Sequence, residues 1–185
     1  ARDFREAPAR WRSGDTPGCI GGGVVNILTG ESSTDLFGGD VPPQVKSLVE
    51  QARAAETPER ALALLWTAQV CAPNCPSLYY LLYKFHARHA DFEQAELAAL
   101  KGLDVAAEQA GLPDDWRIVT PAMADFLTPG PARFWAFTLK ALAFIRLRRQ
   151  DPESARAYLS KVQELDPQGG TGAEVIDALL KGAGA

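Results

Sequence analysis

The segment TPERALALLWTAQVCAPNCP, from Thr57 to Pro76, decides how this chain folds. It opens with Thr-Pro-Glu, which is typical of a helix start because threonine caps free backbone N–H groups and proline fits the first turn. Small and apolar residues then recur at steps of three and four, at Ala61, Leu65 and Ala68, which is the spacing of one helix face. Pro73 ends the pattern. The segment therefore predicts a helix that packs along one face and stops before a turn.

Two later segments repeat this pattern: ADFEQAELAALKGLDVAAEQ at 90–109 and DPESARAYLSKVQELDPQGG at 151–170. The repeated alanines are Ala61, Ala95 and Ala155, and seven positions after them stand Ala68, Gly102 and Val162. The first alanine step is 34 residues and the second is 60, so an insertion breaks the period. Small residues let two helices approach closely. A helix pair cannot bury its apolar face alone, so the repeats are expected to stack.

The pattern resembles the tetratricopeptide repeat family. The residues that match its second helix are Ala61, Leu65, Ala68 and Pro73, then Ala155, Leu159, Val162 and Pro167. The residues that match its first helix are Tyr79 and Leu82, then Leu139, Leu142 and Ala143, whereas Tyr83 stands where the family usually has a small residue. The resemblance covers residues 42–109 and 136–169. It implies an all-α fold, an α-solenoid of about three antiparallel helix pairs with a C-terminal capping helix. Similar helical-hairpin repeats stay open as alternatives.

Differences in residue composition along the chain predict two regions. Residues 1–41 are rich in glycine and proline, which favours an irregular N-terminal arm with one extended segment at Val24–Leu28. Residues 42–185 form the predicted repeat domain, with an insertion at about 110–131 that is expected to be an ordered loop with a helical turn at 121–127. The predicted helices span 43–55, 58–72, 76–89, 92–109, 132–149, 152–165 and 172–182.

Composition and motifs argue against several functional classes. The formal net charge of −4 disfavours nucleic-acid binding, which needs a basic surface. No apolar run reaches the roughly 20 residues that cross a bilayer, and residues 1–12 lack the apolar core of a signal peptide. A leader removed before residue 1 stays open. We expect a cytoplasmic protein that binds neither nucleic acid nor membrane.

The sequence does not assemble a catalytic or metal site. It contains no nucleophile elbow, zinc-protease helix or phosphate loop, so we expect neither an enzyme nor a bound cofactor. His86 and His89 could share a helix face as metal ligands, but no third ligand is evident. Cys71 and Cys75 are separated by three residues, whereas metal and redox motifs usually use two. Cys19 lies in the glycine-rich arm and is the candidate reactive thiol.

The family resemblance implies a concave groove lined by the first helix of each pair. The residues projected onto that groove are Lys46, Glu50 and Arg53, then Tyr80, Lys84 and Arg88, then Phe137, Lys140, Phe144 and Arg148. Six of these ten residues are basic, so the expected ligand is an acidic segment of another protein. The asparagines of the family's carboxylate clamp are missing. A solvated helix face that happens to be basic is the alternative reading.

These observations are compatible with three alternative functions. The first is an interaction module: an adaptor, chaperone or assembly factor. The second is a self-assembling structural repeat protein that exchanges the 1–41 arm between subunits, which leaves monomer and homodimer open. The third is a metal- or redox-linked accessory factor that docks onto a metalloenzyme. The segment Val24–Leu28 could also occupy the predicted groove itself.

Overall fold

The computed structural model describes residues 41–183, and within that range it contains seven α-helices and no strand. The helices are α1 Pro43–Arg53, α2 Pro58–Cys71, α3 Pro76–Arg88, α4 Phe92–Ala110, α5 Pro131–Arg148, α6 Pro152–Leu165 and α7 Ala173–Ala183. The all-α prediction is confirmed, and each predicted helix boundary agrees with the structure to within two residues. The predicted arm, apart from residue 41, and its segment Val24–Leu28 lie outside the described residues.

The helix starts follow from local chemistry. The side chains of Thr57, Asp91 and Asp151 accept hydrogen bonds from backbone N–H groups three residues on, at 3.3, 3.2 and 3.0 Å. Proline stands in the first turn of α1, α2, α3, α5 and α6. Proline has no N–H to leave unsatisfied there, so capping and proline together fix where the helices begin.

Consecutive helices pack against each other along the whole described chain. In addition, α3 contacts α5, and α5 contacts α7. Helix α5 thus touches α3, α4, α6 and α7, which places it at the centre of the core. A helix surrounded in this way buries nearly all of its faces.

The repeated small residues lie at helix contacts. Ala95 and Ala155 are fully buried, whereas Ala61 is only partly buried. Gly102 in α4 lies so close to α3 that a Cβ atom on it would stand 2.7 Å from the Cβ of Tyr79. The close approach predicted from small residues is therefore present at Gly102 between α3 and α4, whereas Ala61 is less enclosed.

The insertion between α4 and α5 is anchored by three buried apolar side chains, Leu112, Val119 and Phe126. The helical turn predicted at 121–127 is wrong, because the short 3-10 turn lies at Trp116–Ile118. Its cap is Asp115, whose side chain accepts a hydrogen bond from the Arg117 N–H at 3.0 Å. The Trp116 ring packs on Tyr158 of α6, with ring centroids 4.7 Å apart. The insertion is therefore tied to the core at both its start and its end.

Candidate binding surface

Three of the predicted groove residues are buried. Tyr80 and Phe137 each expose 2% of their surface, and Lys140 exposes 5%. The Lys140 ammonium donates a hydrogen bond to the carbonyl oxygen of Thr171, and it lies 4.5 Å from the centroid of the Phe137 ring. The segment before α7 thus covers this face of α5. Tyr80, Phe137 and Lys140 serve packing in this structure and are not accessible to a partner.

The three predicted residues on α1, Lys46, Glu50 and Arg53, are exposed. Arg53 forms an ion pair with Glu50 in its own helix at 3.1 Å. Glu50 therefore neutralises the positive charge of Arg53, which the sequence analysis placed at this end of the predicted groove. Lys46 has no ion pair among the described residues.

The remaining predicted residues lie on α3 and α5, two helices that contact each other. They are Lys84 and Arg88 on α3, and Phe144 and Arg148 on α5. The Arg148 guanidinium lies 4.9 Å from the Phe92 ring centroid and 5.9 Å from that of Phe144. The two rings meet edge to face with centroids 6.4 Å apart. We call Lys84, Arg88, Phe92, Phe144 and Arg148 the basic–aromatic surface, because they lie on the contacting helices α3 and α5 and at the start of α4.

Phe92 belongs to this surface although the sequence reasoning missed it. The family projection considered only first helices, whereas Phe92 is the first residue of α4. The position of Phe92 could have indicated its role, because it lies four residues after Arg88, in the turn from α3 to α4. An aromatic residue at the start of a helix can pack beside the end of the preceding helix.

Among the residues that the structure describes, the cations of this surface have no counter-ion. Within residues 41–183, Lys84, Arg88 and Arg148 form no salt bridge. Their neighbours differ: Arg146 and Arg149 both pair with Glu96, a nearly buried carboxylate, and Arg146 also reaches Asp151 at 3.2 Å. Of the three arginines at the end of α5, Arg146 and Arg149 are paired with carboxylates. The charge of Arg148 is not compensated by any described residue.

Lys84 is held in an unfavourable environment for a cation. Its ammonium donates to the Tyr80 hydroxyl at 3.1 Å and lies 4.8 Å from the centroid of that ring. Burial lowers the pKa of Lys84, and the nearby Arg88 charge lowers it further. Both causes act against the charged form, so an anion placed here would relieve an existing electrostatic cost.

The histidines and cysteines do not form a common site. His86 is buried with its Nδ1 3.4 Å from an Asp91 carboxylate oxygen, whereas the exposed His89 places its Nδ1 2.8 Å from the Phe85 carbonyl oxygen. Among the described residues no three potential ligands cluster around a possible metal position. Cys71 and Cys75 are both free thiols, and burial raises the pKa of Cys75. Cys19 lies outside the described range.

In the part of the chain from 41 to 183, no helix combines the length and the apolar character needed to cross a bilayer.

No family model, curated protein or solved structure matches this chain. The resemblance to tetratricopeptide repeats therefore stays a prediction from the sequence pattern.

Proposed function

We propose that this chain is a protein-interaction module that binds an acidic segment of another protein through the basic–aromatic surface. The observation that carries the proposal is the set of cations without salt bridges among residues 41–183, one of which is held against two aromatic rings. A patch of one charge sign attracts and steers a partner of opposite sign. The contrast with the net charge of −4 makes the patch distinctive on this protein.

Each residue of the surface has a defined role in this proposal. Stacking on Phe92 and Phe144 restricts the Arg148 side chain, so less conformational entropy is lost when its planar fork binds a carboxylate. The two phenylalanine rings offer apolar contact area beside the charge. Lys84 and Arg88, one turn apart on α3, extend the positive potential along the surface.

We also propose that the helices form a tetratricopeptide-like solenoid. The contacts of α3 with α5 and of α5 with α7 support this arrangement, since first helices of neighbouring pairs touch in such a stack. On this assignment α3 and α5 are first helices, and the basic–aromatic surface falls on the side that the family uses for binding. The fold indicates how the protein binds and leaves the identity of the partner open.

The test uses an array of random peptides probed with the full chain. We expect bound peptides to be enriched in aspartate and glutamate, and we expect the double variant Arg88→Glu/Arg148→Glu to lose that enrichment. The matched control is Arg60→Glu/Arg156→Glu, which makes the same charge change at two exposed arginines elsewhere. Equal enrichment with both double variants would show that the acidic preference, if any, comes from overall charge and not from this surface.

A further inference from the structure

A second surface, separate from the basic–aromatic one, is an apolar groove between α2 and α4. Trp66 and Leu97 form its walls, Tyr79 and Leu82 of α3 form its floor, and Lys101 stands at its rim. The groove has a volume of about 170 Å³. That is close to the roughly 150 Å³ of a cavity that holds one benzene molecule, so one aliphatic side chain fits at a time.

The walls of this groove are unusually exposed for such large apolar side chains. Trp66 exposes 42% of its surface and Leu97 exposes 57%, while the floor residues Tyr79 and Leu82 are buried. Half-exposed apolar walls over a buried apolar floor are typical of a surface that another chain segment covers.

We propose that the groove is covered by the segment Val24–Leu28 of the same chain. Residues 16–30 contain no charged residue, and Val24, Val25, Ile27 and Leu28 supply aliphatic side chains for an apolar site. No other uncharged run of this kind precedes α1. The composition of the segment therefore matches the composition of the groove.

The chain connectivity allows this docking. Twelve residues separate Leu28 from Val41, and an extended chain covers about 3.3–3.6 Å per residue, so the connection spans up to roughly 40 Å. Val41 packs against the core beside α1, and α1 packs on α2. Helix α2 has 14 residues and is about 21 Å long. Every point along the groove wall that α2 contributes is thus within reach.

Charge is complementary along the same path. The connection carries Glu31, Asp35 and Asp40 and no basic residue from 29 to 41. Lys101 at the groove rim forms no salt bridge within the described range. With Val24–Leu28 in the groove, Glu31 follows three residues after the segment and can approach Lys101. The tether also favours this occupant over a separate molecule, because a short linker sets a millimolar effective concentration.

Hydrogen exchange of the full chain, followed by mass spectrometry, tests the proposal. We expect the amides of 24–28 to be protected, and we expect Leu97→Glu to speed their exchange about tenfold or more, the factor that loss of one buried leucine contact implies. The control is Val70→Glu, because Val70 is 75% exposed on α2 and does not line the groove. Unprotected amides in the wild type, or equal exchange in both variants, would overturn the proposal.

Two further measurements keep the result unambiguous. The double variant Ile27→Asp/Leu28→Asp leaves the groove walls intact and puts a charge on both faces of an extended segment, so it should release the segment as Leu97→Glu does; continued protection in this variant would contradict the docking. Zero-length carbodiimide cross-linking of mixed unlabelled and ¹⁵N-labelled protein should join Lys101 to Glu31 within one chain. Cross-links that join a labelled to an unlabelled chain would assign the groove to a second copy instead and refute the intrachain docking.

Discussion

Replacing Gly102 with alanine probes the close approach of α3 and α4. The added methyl group would stand 2.7 Å from the Tyr79 Cβ, 3.3 Å from its Cγ and 3.4 Å from the Phe134 Cζ. A Cβ atom cannot rotate away, so α3 itself has to shift. Such overpacking costs about 1–3 kcal/mol, while alanine gains about 1 kcal/mol over glycine in helix propensity. The expected net loss is therefore about 1 kcal/mol, with a range of about 0–2.

Chemical denaturation followed by far-UV circular dichroism measures this loss. The control is Gly182→Ala, because a Cβ on Gly182 would meet no atom within 4 Å. The control should therefore be neutral or slightly stabilising. In thermal unfolding, a loss of 1 kcal/mol corresponds to a fall in Tm of about 2–4 °C for a chain of this size. If Gly102→Ala stabilises the protein as much as the control, α3 and α4 do not approach as described.

Two other substitutions test packing and charge. Ala155→Leu should destabilise the fold by about 1–3 kcal/mol through overpacking, and Ala61→Leu should cost less because Ala61 is only partly buried; equal denaturation midpoints for both variants and the wild type would contradict this. Lys84→Met should raise stability at neutral pH, because the folded-state pKa of Lys84 is lowered by burial and by Arg88. The unfolded chain then binds the proton more tightly, so wild-type stability rises with pH up to the ordinary lysine pKa of 10.5. The difference in the free energy of unfolding between Lys84→Met and the wild type should therefore shrink as the pH rises toward 10.5. A difference that stays constant with pH would refute the assignment.

The helices could be predicted from the sequence because their signals are local. Thr57, Asp91 and Asp151 each stand before a helix and accept the backbone hydrogen bonds expected of caps. Proline in the first turn marks most of the other starts. The helical turn in the insertion was predicted at the wrong place because one such local signal was overlooked: Asp115 caps the 3-10 turn that follows it.

The accessible part of the surface could not be predicted from helix periodicity alone. The burial of Lys140 depends on Thr171, which is 31 residues away in sequence, and on the contact of α5 with α7. The sequence does contain a signal of this burial, because Phe134–Ile145 is apolar except for Thr138 and Lys140. A helix that is apolar on all sides belongs in the core, and it exposes residues only near its end, where Arg148 lies.

The central claim is that the basic–aromatic surface binds an acidic segment by charge, and a charge-swap binding measurement tests it most directly. The ligands are the strongest acidic peptide from the array and a copy in which every Asp and Glu is replaced by Lys. Reversal of Arg88 and Arg148 should weaken binding of the acidic peptide about fourfold or more, given roughly 0.2–1 kcal/mol for each exposed ion pair lost and a similar repulsion gained. The same variant should bind the lysine peptide more tightly than the wild type does. If the variant loses the acidic peptide without gaining the lysine peptide, or if neither affinity changes, the surface does not recognise its partner by charge.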